Sequence, residues 1–482
     1  MARPRIAWFS PLQPVESGIS LSSEDLVPIL AQVLNIDVVV DGYEPISLTP
    51  GPGIDVLDYR RFDPTRYDLV VYQVGNNPAH IYMLDEMART PGLLVLHDTV
   101  LNHLFIQQPA RNGTLYAYRD EMARLYGEAG VRAADRVLKG QAPDNLFRFP
   151  MSESLVQASP VTIVHSEYAR QEARRTAPDA SVVRVPHGLR MPQQVDRTSA
   201  RRALDLAEDQ FLVTSVTHIN PHKRIDVVLR AFKRLRRHVP ARLILAGSVS
   251  SGFPLERLIS HLGLDQVVDR PGYVPDEQAR LIAAASDVIV NLRYPTAGET
   301  SASLLRSMAA ARPVLVSDTG SFSEVPEDCV IRVPVDALEE QMLLAVLDRL
   351  YVDPGLGLRI GRNARRFVKQ EHSLQRWADG YMDVIRGLTG LSIPDPDAPI
   401  AEEPIPTDDG ASRIAVSDPL TSSIARDVAE LGLGGAPGLL EDIARSRVEL
   451  GLGVGMMSFD ADRSSAQAGG NDDREHEEAN QR

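Results

Sequence analysis

Short, β-branched, nearly continuous apolar runs recur along this 482-residue chain, each followed by a turn signal and a longer stretch of helical periodicity. Runs of that kind read as strands buried on both faces, and their alternation with helices predicts parallel sheets covered on each side. In the first half they are RIAWF (5–9), IDVVV (36–40), DLVVYQV (68–74), GLLVL (92–96), VTIVH (161–165) and SVVRV (181–185). In the second half they are FLVTSV (211–216), ARLILA (241–246), DVIVNL (287–292), RPVLVS (312–317) and CVIRVPV (329–335). Two such sets predict two doubly wound α/β domains. The boundary should fall near 188–210, a polar stretch that contains Pro192 and has no strand pattern.

Two segments depart from the alternation. Residues 99–160 carry helical patterns such as GTLYAYRDEMARLYGEAGVRAADRVL and no strand pattern, which predicts a helical insertion after the fourth strand. It either packs on the sheet edge or shapes the substrate site. From about 391 the chain turns to PDPDAPIAEEPIPTDD, holds one aromatic residue, Phe459, and ends QAGGNDDREHEEANQR. That composition buries too little apolar surface to order a domain, so 391–482 is expected to be a mostly disordered acidic tail. Within it, 422–433 and 438–452 show helical spacing, read either as transient helices or as a docking or self-association element. No internal repeat is evident; the two halves match as architecture and not as sequence.

The apolar content of 43% and charged content of 24% are ordinary for a globular chain. The formal charge is −14, but residues 391–482 hold 19 acidic residues against 7 arginines and no lysine, so the preceding 390 residues carry only −2. A nearly neutral body gives no bulk attraction for nucleic acid, whose non-specific binding scales with the phosphates that Lys and Arg neutralise. The one cysteine, Cys329, excludes an intrachain disulfide and a Cys-cluster metal site. The N-terminus MARPRIAWFSPLQP is too short in apolar residues for a signal-peptide core, and no window approaches 18 apolar residues in a row. The expected location is cytoplasmic, with peripheral attachment to the inner face of the membrane left open.

Among motifs, the P-loop, the G-x-S-x-G elbow, the H-E-x-x-H pair and a strand-linked G-x-G-x-x-G are all missing. The positive signal is positional, because ligands of open α/β sheets bind beyond the carboxyl ends of the strands. There the chain puts Gly18, then Gly75 to Asn77, His97 with Asp98, and Ser166 in its first half. The second half offers HINPHKRID (218–226), Gly247, RYPTAGETS (293–301) and DTGSFSE (318–324). Lys223 and Arg224, just past a strand end in a loop stiffened by Pro221, suit a phosphate or diphosphate. Lys233, Arg234, Arg236 and Arg237 read as the solvated face of the next helix. In TAGETSASLLRSMAAARPV, Thr300 or Ser301 is expected to cap a helix running to about Ala311, whose unpaired first-turn N–H groups favour a pyrophosphate. Glu299 beside that anion site needs another partner, either sugar hydroxyls or capping amides.

The order of these pieces, from Arg5 to about Leu388, resembles the family-four glycosyltransferases of the GT-B fold, retaining enzymes that move a sugar from a nucleotide diphosphate sugar. The resemblance implies two Rossmann-like domains facing across a cleft: an acceptor domain, 1–190, and a donor domain, 191–371. SLQRWADGYMDVIRGL would then lie in a crossover helix, 372–390, returning to the first domain. Gly18 matches the glycine that lets the first loop approach the donor's phosphates, with Gly75 in the third-strand match YDLVVYQVGNN, and His97 matches a histidine near the transferred sugar. Lys223 takes the diphosphate role, with Asn220 or His218 near the family's arginine position and Arg224 beside them. LILAGS, with Gly247, and PGYV match the strands bordering the nucleotide in that family, which would put Tyr273 and Val274 near the base. The family's signature is two glutamates separated by seven residues. Aligning RSMAAARPV to it puts Arg306 where the second glutamate belongs and Gly298 at the first, with Glu299 displaced by one.

The resemblance implies a retaining transfer in which Lys223, with Arg224 or Arg306 and the helix behind Thr300 and Ser301, stabilises charge growing on the leaving diphosphate. Glu299 and His97 would contact the sugar, and neither a metal nor a further cofactor is required. No carboxylate pair at glycosidase spacing suggests hydrolysis. The partners implied are a nucleotide-sugar donor and a glycan, lipid or small-molecule acceptor, with homo-oligomer formation or docking through the tail left open. The acceptor is expected to be read by the loops after Gly18 and Gly75 and the helices of 99–160. The altered glutamate pair also admits a non-catalytic sugar-nucleotide or glycan-binding scaffold subunit, and an epimerase or phosphorylase on the same fold is a third reading.

Overall fold

The computed structural model of the chain describes residues 3–397, apart from residues 16, 49, 113–116 and 142–143. Most of the expected acidic tail therefore lies outside the described residues. The first domain is a seven-stranded, wholly parallel sheet in the order β3-β2-β1-β4-β5-β6-β7. Its strands are β1 (Arg5–Phe9), β2 (Asn35–Val40), β3 (Ile54–Asp58), β4 (Leu69–Val74), β5 (Leu93–Leu96), β6 (Thr162–Val164) and β7 (Val182–Arg184). Helices α1 (Gly18–Leu30), α2 (Ile81–Arg89), α3 (Asn102–Asn112), α4 (Ala117–Leu138), α5 (Glu153–Ala158) and α6 (Glu167–Thr176) connect them. The segment between β5 and β6 is helical as expected, comprising α3, a kinked α4 and α5.

The second domain holds α7 (Arg197–Ala203), β8 (Phe211–Val216), α8 (Ile225–Leu235), β9 (Ala241–Ala246), α9 (Leu255–Leu262) and β10 (Val268–Gly272). It continues through α10 (Asp276–Ala285), β11 (Val288–Asn291), α11 (Ala302–Ala309), β12 (Val314–Ser317), β13 (Ile331–Val333), α12 (Glu339–Val352) and α13 (Pro354–Glu371). Its six strands are again all parallel, ordered β10-β9-β8-β11-β12-β13. In both sheets the strand order reverses beside the first strand, at β1/β4 and at β8/β11, and that reversal opens a crevice at the carboxyl edge.

Local sequence explains the elements. Along α8 the residues Ile225, Val228, Leu229, Phe232 and Leu235 recur at helical spacing and are buried, while Lys233 and Arg237 face water. α14 (Leu374–Thr389) is capped at its start by Ser373, which accepts from the Arg376 N–H at 3.3 Å, and closed by Gly390 in the left-handed conformation. Its apolar stripe, Trp377, Tyr381 and Ile385, is buried in the first domain with Trp8, Leu26, Val38 and Val95. At about 1.5–3 kcal/mol per fully buried large apolar side chain, this stripe is a principal part of that core.

Three expectations change. Two edge strands, β3 and β10, had no signal, because a strand covered on one face lacks a continuous apolar run: β3 reads IDVLD and β10 reads VDRPG. Pro271 in β10 is tolerated because the strand lies at the edge. The polar stretch at 188–210 is not wholly irregular, since it contains α7, capped by Asp196 through the Ser199 N–H at 2.9 Å. The chain also stays ordered past 391: Ile393 is buried in the first domain, and Gln32 exchanges hydrogen bonds of 2.8 and 2.9 Å with the backbone of Asp397.

Candidate functional site

Two cavities open at the carboxyl edges of the sheets. One, of about 420 Å³, lies between the domains and is lined by Asn76, Asp98, His103 and Phe147 from the first domain and by Asn220, Lys223, Arg293 and Glu299 from the second. The other, of about 390 Å³, is bordered by Tyr273, Val274, Asp276, Ser303 and Arg306, with Gln13 across from them. They flank the N-terminus of α11, with Ser303 lining one and Glu299 the other. Arg293 Nη2 reaches Ser301 Oγ at 3.4 Å, and Ser301 is 2.9 Å from Ser303 Oγ. Gly18 starts α1 opposite this end; a Cβ there would stand 3.9 Å from the Ala302 Cβ, so the first loop and α11 are in close contact.

The loop after β8 turns Lys223 inward. Asn220 caps a single 3-10 turn, Pro221–Lys223, through the His222 N–H at 3.0 Å, and the turn ends with Arg224 in the left-handed conformation. Lys223 is thereby 8% exposed. Burial, followed by the neighbouring Arg293 guanidinium, holds its ammonium pKa well below the usual lysine value. Arg293 follows the end of β11 and is largely buried, which brings its pKa down to about 10. It pairs with Glu299, whose other oxygen accepts from Thr296 Oγ1 at 2.9 Å and the Ala297 N–H at 2.8 Å. Asp98 accepts from the Asn76 N–H at 2.7 Å; burial raises its carboxyl pKa, against the pull of that bond and of Arg293 and Lys223.

The expected residues divide accordingly. Lys223, Asn220 and Glu299 line the interdomain cavity; Tyr273, Val274 and Arg306 line the other. Ser301 is the N-cap of α11, accepting from the Leu304 N–H at 3.3 Å, and Thr300 precedes it. Arg224 turns away, because the left-handed backbone directs it onto Glu339 of α12, with Nε 3.0 and 3.1 Å from the two carboxylate oxygens. Arg293 stands beside Lys223 in its place. Gly247 lines neither cavity; with φ at 149°, it lets β9 end against the Thr217 carbonyl, which a Cβ would approach to 1.9 Å. Gly75 likewise gives close packing, since a Cβ there would meet Ile19 at 2.5 Å. His218 bonds Ser248 Oγ and Ser250 Oγ, both at 2.8 Å.

His97 lines neither cavity and is turned the other way, its Nε2 2.7 Å from the Gln73 side-chain oxygen. Its ring belongs to a cluster under the cleft, 4.9 Å from His165 and 6.5 Å from His187, with His187 stacked on Trp377 at 4.7 Å. Successive side chains of an extended segment alternate, so one pointing inward sends the next toward the cavity, and that next residue is Asp98. Asp98, Arg293 and Phe147 carried no assignment from sequence; the alternation past β5 was the available sign for the first. Phe147 packs edge-on to His222 across the cleft, with ring centres 4.7 Å apart.

The cluster has a pH consequence. Burial lowers the pKa of His165 to about 4 and of His80, which bonds the Gln73 carbonyl at 2.8 Å, to about 4 as well. The unfolded chain takes these protons near pH 6.5, the folded one near 4, so stability present above pH 6.5 is lost as pH falls through that window. The expected loss at pH 5 is about 2 kcal/mol for each of the two, read as a falling urea midpoint. With His165→Phe and His80→Leu the decline between pH 6.5 and 5 should flatten, and an unchanged slope would refute this account.

Among the described residues no group of three His, Cys, Asp or Glu side chains is placed to hold a metal ion, and no helix is long and apolar enough to cross a membrane. Residues 196–367 match the family model described as glycosyl transferases group 1. A D-inositol 3-phosphate glycosyltransferase of Nocardioides sp. is 29% identical over 273 residues, which is 51% of this chain and 58% of that protein. The chain spans about half the length of the curated relatives it matches, 48% of one and 58% of another. Among solved structures, sucrose-phosphate synthase from Thermosynechococcus elongatus superposes with a TM-score of 0.59 at 17% identity, covering 81% of this chain and 100% of that one. The Anabaena protein HepE, in complex with UDP and glucose, gives 0.57 at 15% identity, with 81% and 100% covered. At such identity the likeness is one of fold, and the fold is GT-B: two parallel-sheet Rossmann-like domains.

Proposed function

We propose that the chain is a glycosyltransferase that takes a sugar from a nucleotide diphosphate sugar and passes it, with retention at the anomeric carbon, to a hydroxylated acceptor. The observation that carries this reading is the buried Lys223, set beside the largely buried Arg293 in the interdomain cavity near the N-terminus of α11. Arg293 is paired with Glu299, but Lys223 has no ion pair among the described residues, and a buried cation is costly unless an anion shares the site. A diphosphate spanning the start of α11 would meet both cations and the unpaired first-turn N–H groups. The nucleoside would then fill the cavity of about 390 Å³ against Tyr273 and Arg306, and the sugar the one of about 420 Å³. The match of residues 196–367 and the UDP held by HepE support the same reading.

In this reading the bond between the anomeric carbon and the diphosphate oxygen breaks while the acceptor oxygen bonds that carbon, the acceptor proton leaving with the diphosphate. Lys223 and Arg293 stabilise the negative charge that develops on the leaving group. Glu299 holds Arg293 in place, and Asp98 faces the sugar's hydroxyls from the first domain. Phe147 and His103 form the wall that an acceptor ring would meet. The test is nucleotide release from UDP-, GDP-, ADP- and dTDP-sugars, with a mixture of polyols, glycans and lipids as acceptors. Release with one donor, raised by acceptor and lost in Lys223→Ala, is the expected result. Binding of a nucleotide sugar with silence across the panel would favour the non-catalytic scaffold, the reading that the Arg306 substitution supports.

A further inference from the structure

Ala297, in the loop between β11 and α11, is held from two sides. Its carbonyl receives the Thr99 N–H at 2.8 Å, the Thr99 hydroxyl at 3.0 Å and the Val100 N–H at 3.0 Å, all from the first domain. Its own N–H donates to Glu299 at 2.8 Å. Thr99 is 5% exposed and braced from behind, its carbonyl accepting from Ser152 Oγ at 2.7 Å. The next residue, Gly298, has φ at 79° and no room for a side chain: a Cβ would lie 1.9 Å from Thr99 Oγ1 and 2.9 Å from Thr99 Cβ. Three donors therefore converge on one carbonyl across the cleft, two residues from the carboxylate that pairs with Arg293.

We propose that Thr99 is a positioning residue: by gripping Ala297 when the domains come together, it sets Glu299 and Arg293 for transfer, so that turnover and not donor affinity depends on it. The inference rests on the transferase reading. The groups assigned to the nucleoside and diphosphate, Tyr273, Arg306, Lys223 and Arg293, all belong to the second domain, so a parted molecule can still take up donor. What parting removes is Asp98 opposite the sugar, Gln13 across from the nucleoside cavity and the fixed geometry of the loop 296–299. Donor bound without closure would stay intact, because the carboxylate loop is set only when the first domain arrives with the acceptor wall.

The test uses the full chain. Thr99→Val replaces the donated hydroxyl by a methyl group that cannot sit 3.0 Å from a carbonyl oxygen, and is expected to lower kcat about tenfold with the donor KM within about twofold. Thr99→Ser keeps the hydroxyl and should restore kcat to within about twofold of the parent. Gly298→Ala should lower kcat by about a hundredfold, and adding Thr99→Gly, which removes the atoms the new Cβ meets, should recover about tenfold of it. A shift in KM instead of kcat, no rescue by serine, or a Gly298→Ala loss indifferent to residue 99 would overturn the proposal. Hydrogen exchange at the Thr99 and Val100 amides separates the contact from the chemistry. Protection lost in Gly298→Ala sustains the contact even if no donor is turned over, in which case the transferase reading alone fails. Protection unchanged in that variant overturns the contact itself.

Discussion

Lys223→Ala is expected to lower turnover of the donor by about 10²–10³-fold, the usual consequence of removing one group that stabilises developing charge. It should do so without unfolding the protein. Lys223 is buried, its ammonium is repelled by Arg293, and among the described residues it forms no ion pair within bonding distance. Removing such a cation relieves burial of a charge, so the melting temperature is expected to hold or rise. A nucleoside diphosphate that raises the melting temperature of the parent should raise that of the variant far less, because ligand stabilisation follows affinity. Lys223→Arg should not restore activity, since the planar guanidinium presents its donors in a geometry that differs from that of an ammonium. A variant that keeps activity within about threefold of the parent would remove Lys223 from the mechanism.

Arg201→Ala is expected to cost about 3 kcal/mol of stability, because it removes a fully buried guanidinium from several hydrogen bonds at once. Arg201, at 0% exposure, lies on α7 and ties that helix to the sheet. Its Nη2 meets Asp287 Oδ2 at 2.6 Å, its Nε donates to the Ala285 carbonyl at 3.0 Å, and its Nη1 donates to the carbonyls of Ala207 and Gln210 at 2.6 and 2.8 Å. The same Asp287 oxygen accepts the Leu212 N–H at 2.8 Å at the start of β8. Truncation strips the Ala285 carbonyl of its guanidinium donor and leaves Asp287 to Arg197 and the Leu212 N–H alone. Arg201→Lys supplies one point charge in place of a fork and should recover less than half of the loss. A change in the urea midpoint equivalent to less than about 1 kcal/mol would contradict this account.

Much of the architecture could be read from sequence because parallel strands buried on both faces leave an unmistakable apolar run, as IDVVV and FLVTSV do. What escaped was single-sided: IDVLD at one sheet edge and VDRPG at the other carry acids or Pro where a central strand would not. At the site, sequence located the loops but not the directions of side chains within them. Lys223 and Arg224 are neighbours in a basic string, yet a 3-10 turn and one left-handed residue send the first into the cavity and the second to Glu339. His97 and Asp98 are separated by the same kind of alternation. Arg293 lies within RYPTAGETS, and nothing in a linear string shows that it would come against Lys223 from the end of another strand. Arg201 was hidden in a polar stretch that reads as a linker.

The return of α14 to the first sheet makes the first domain discontinuous in sequence. Trp8, Leu26 and Val38 belong to a segment that leaves the ribosome early, whereas their partners Trp377, Tyr381 and Ile385 emerge only after the entire second domain. The second domain, contiguous from α7 to α13, can complete its core during synthesis, but the first must wait with an uncovered apolar face. The domain begun first is thus the last to be finished. Any chain that terminates before Ile385 leaves that face open to aggregation and to chaperones, however intact its second domain.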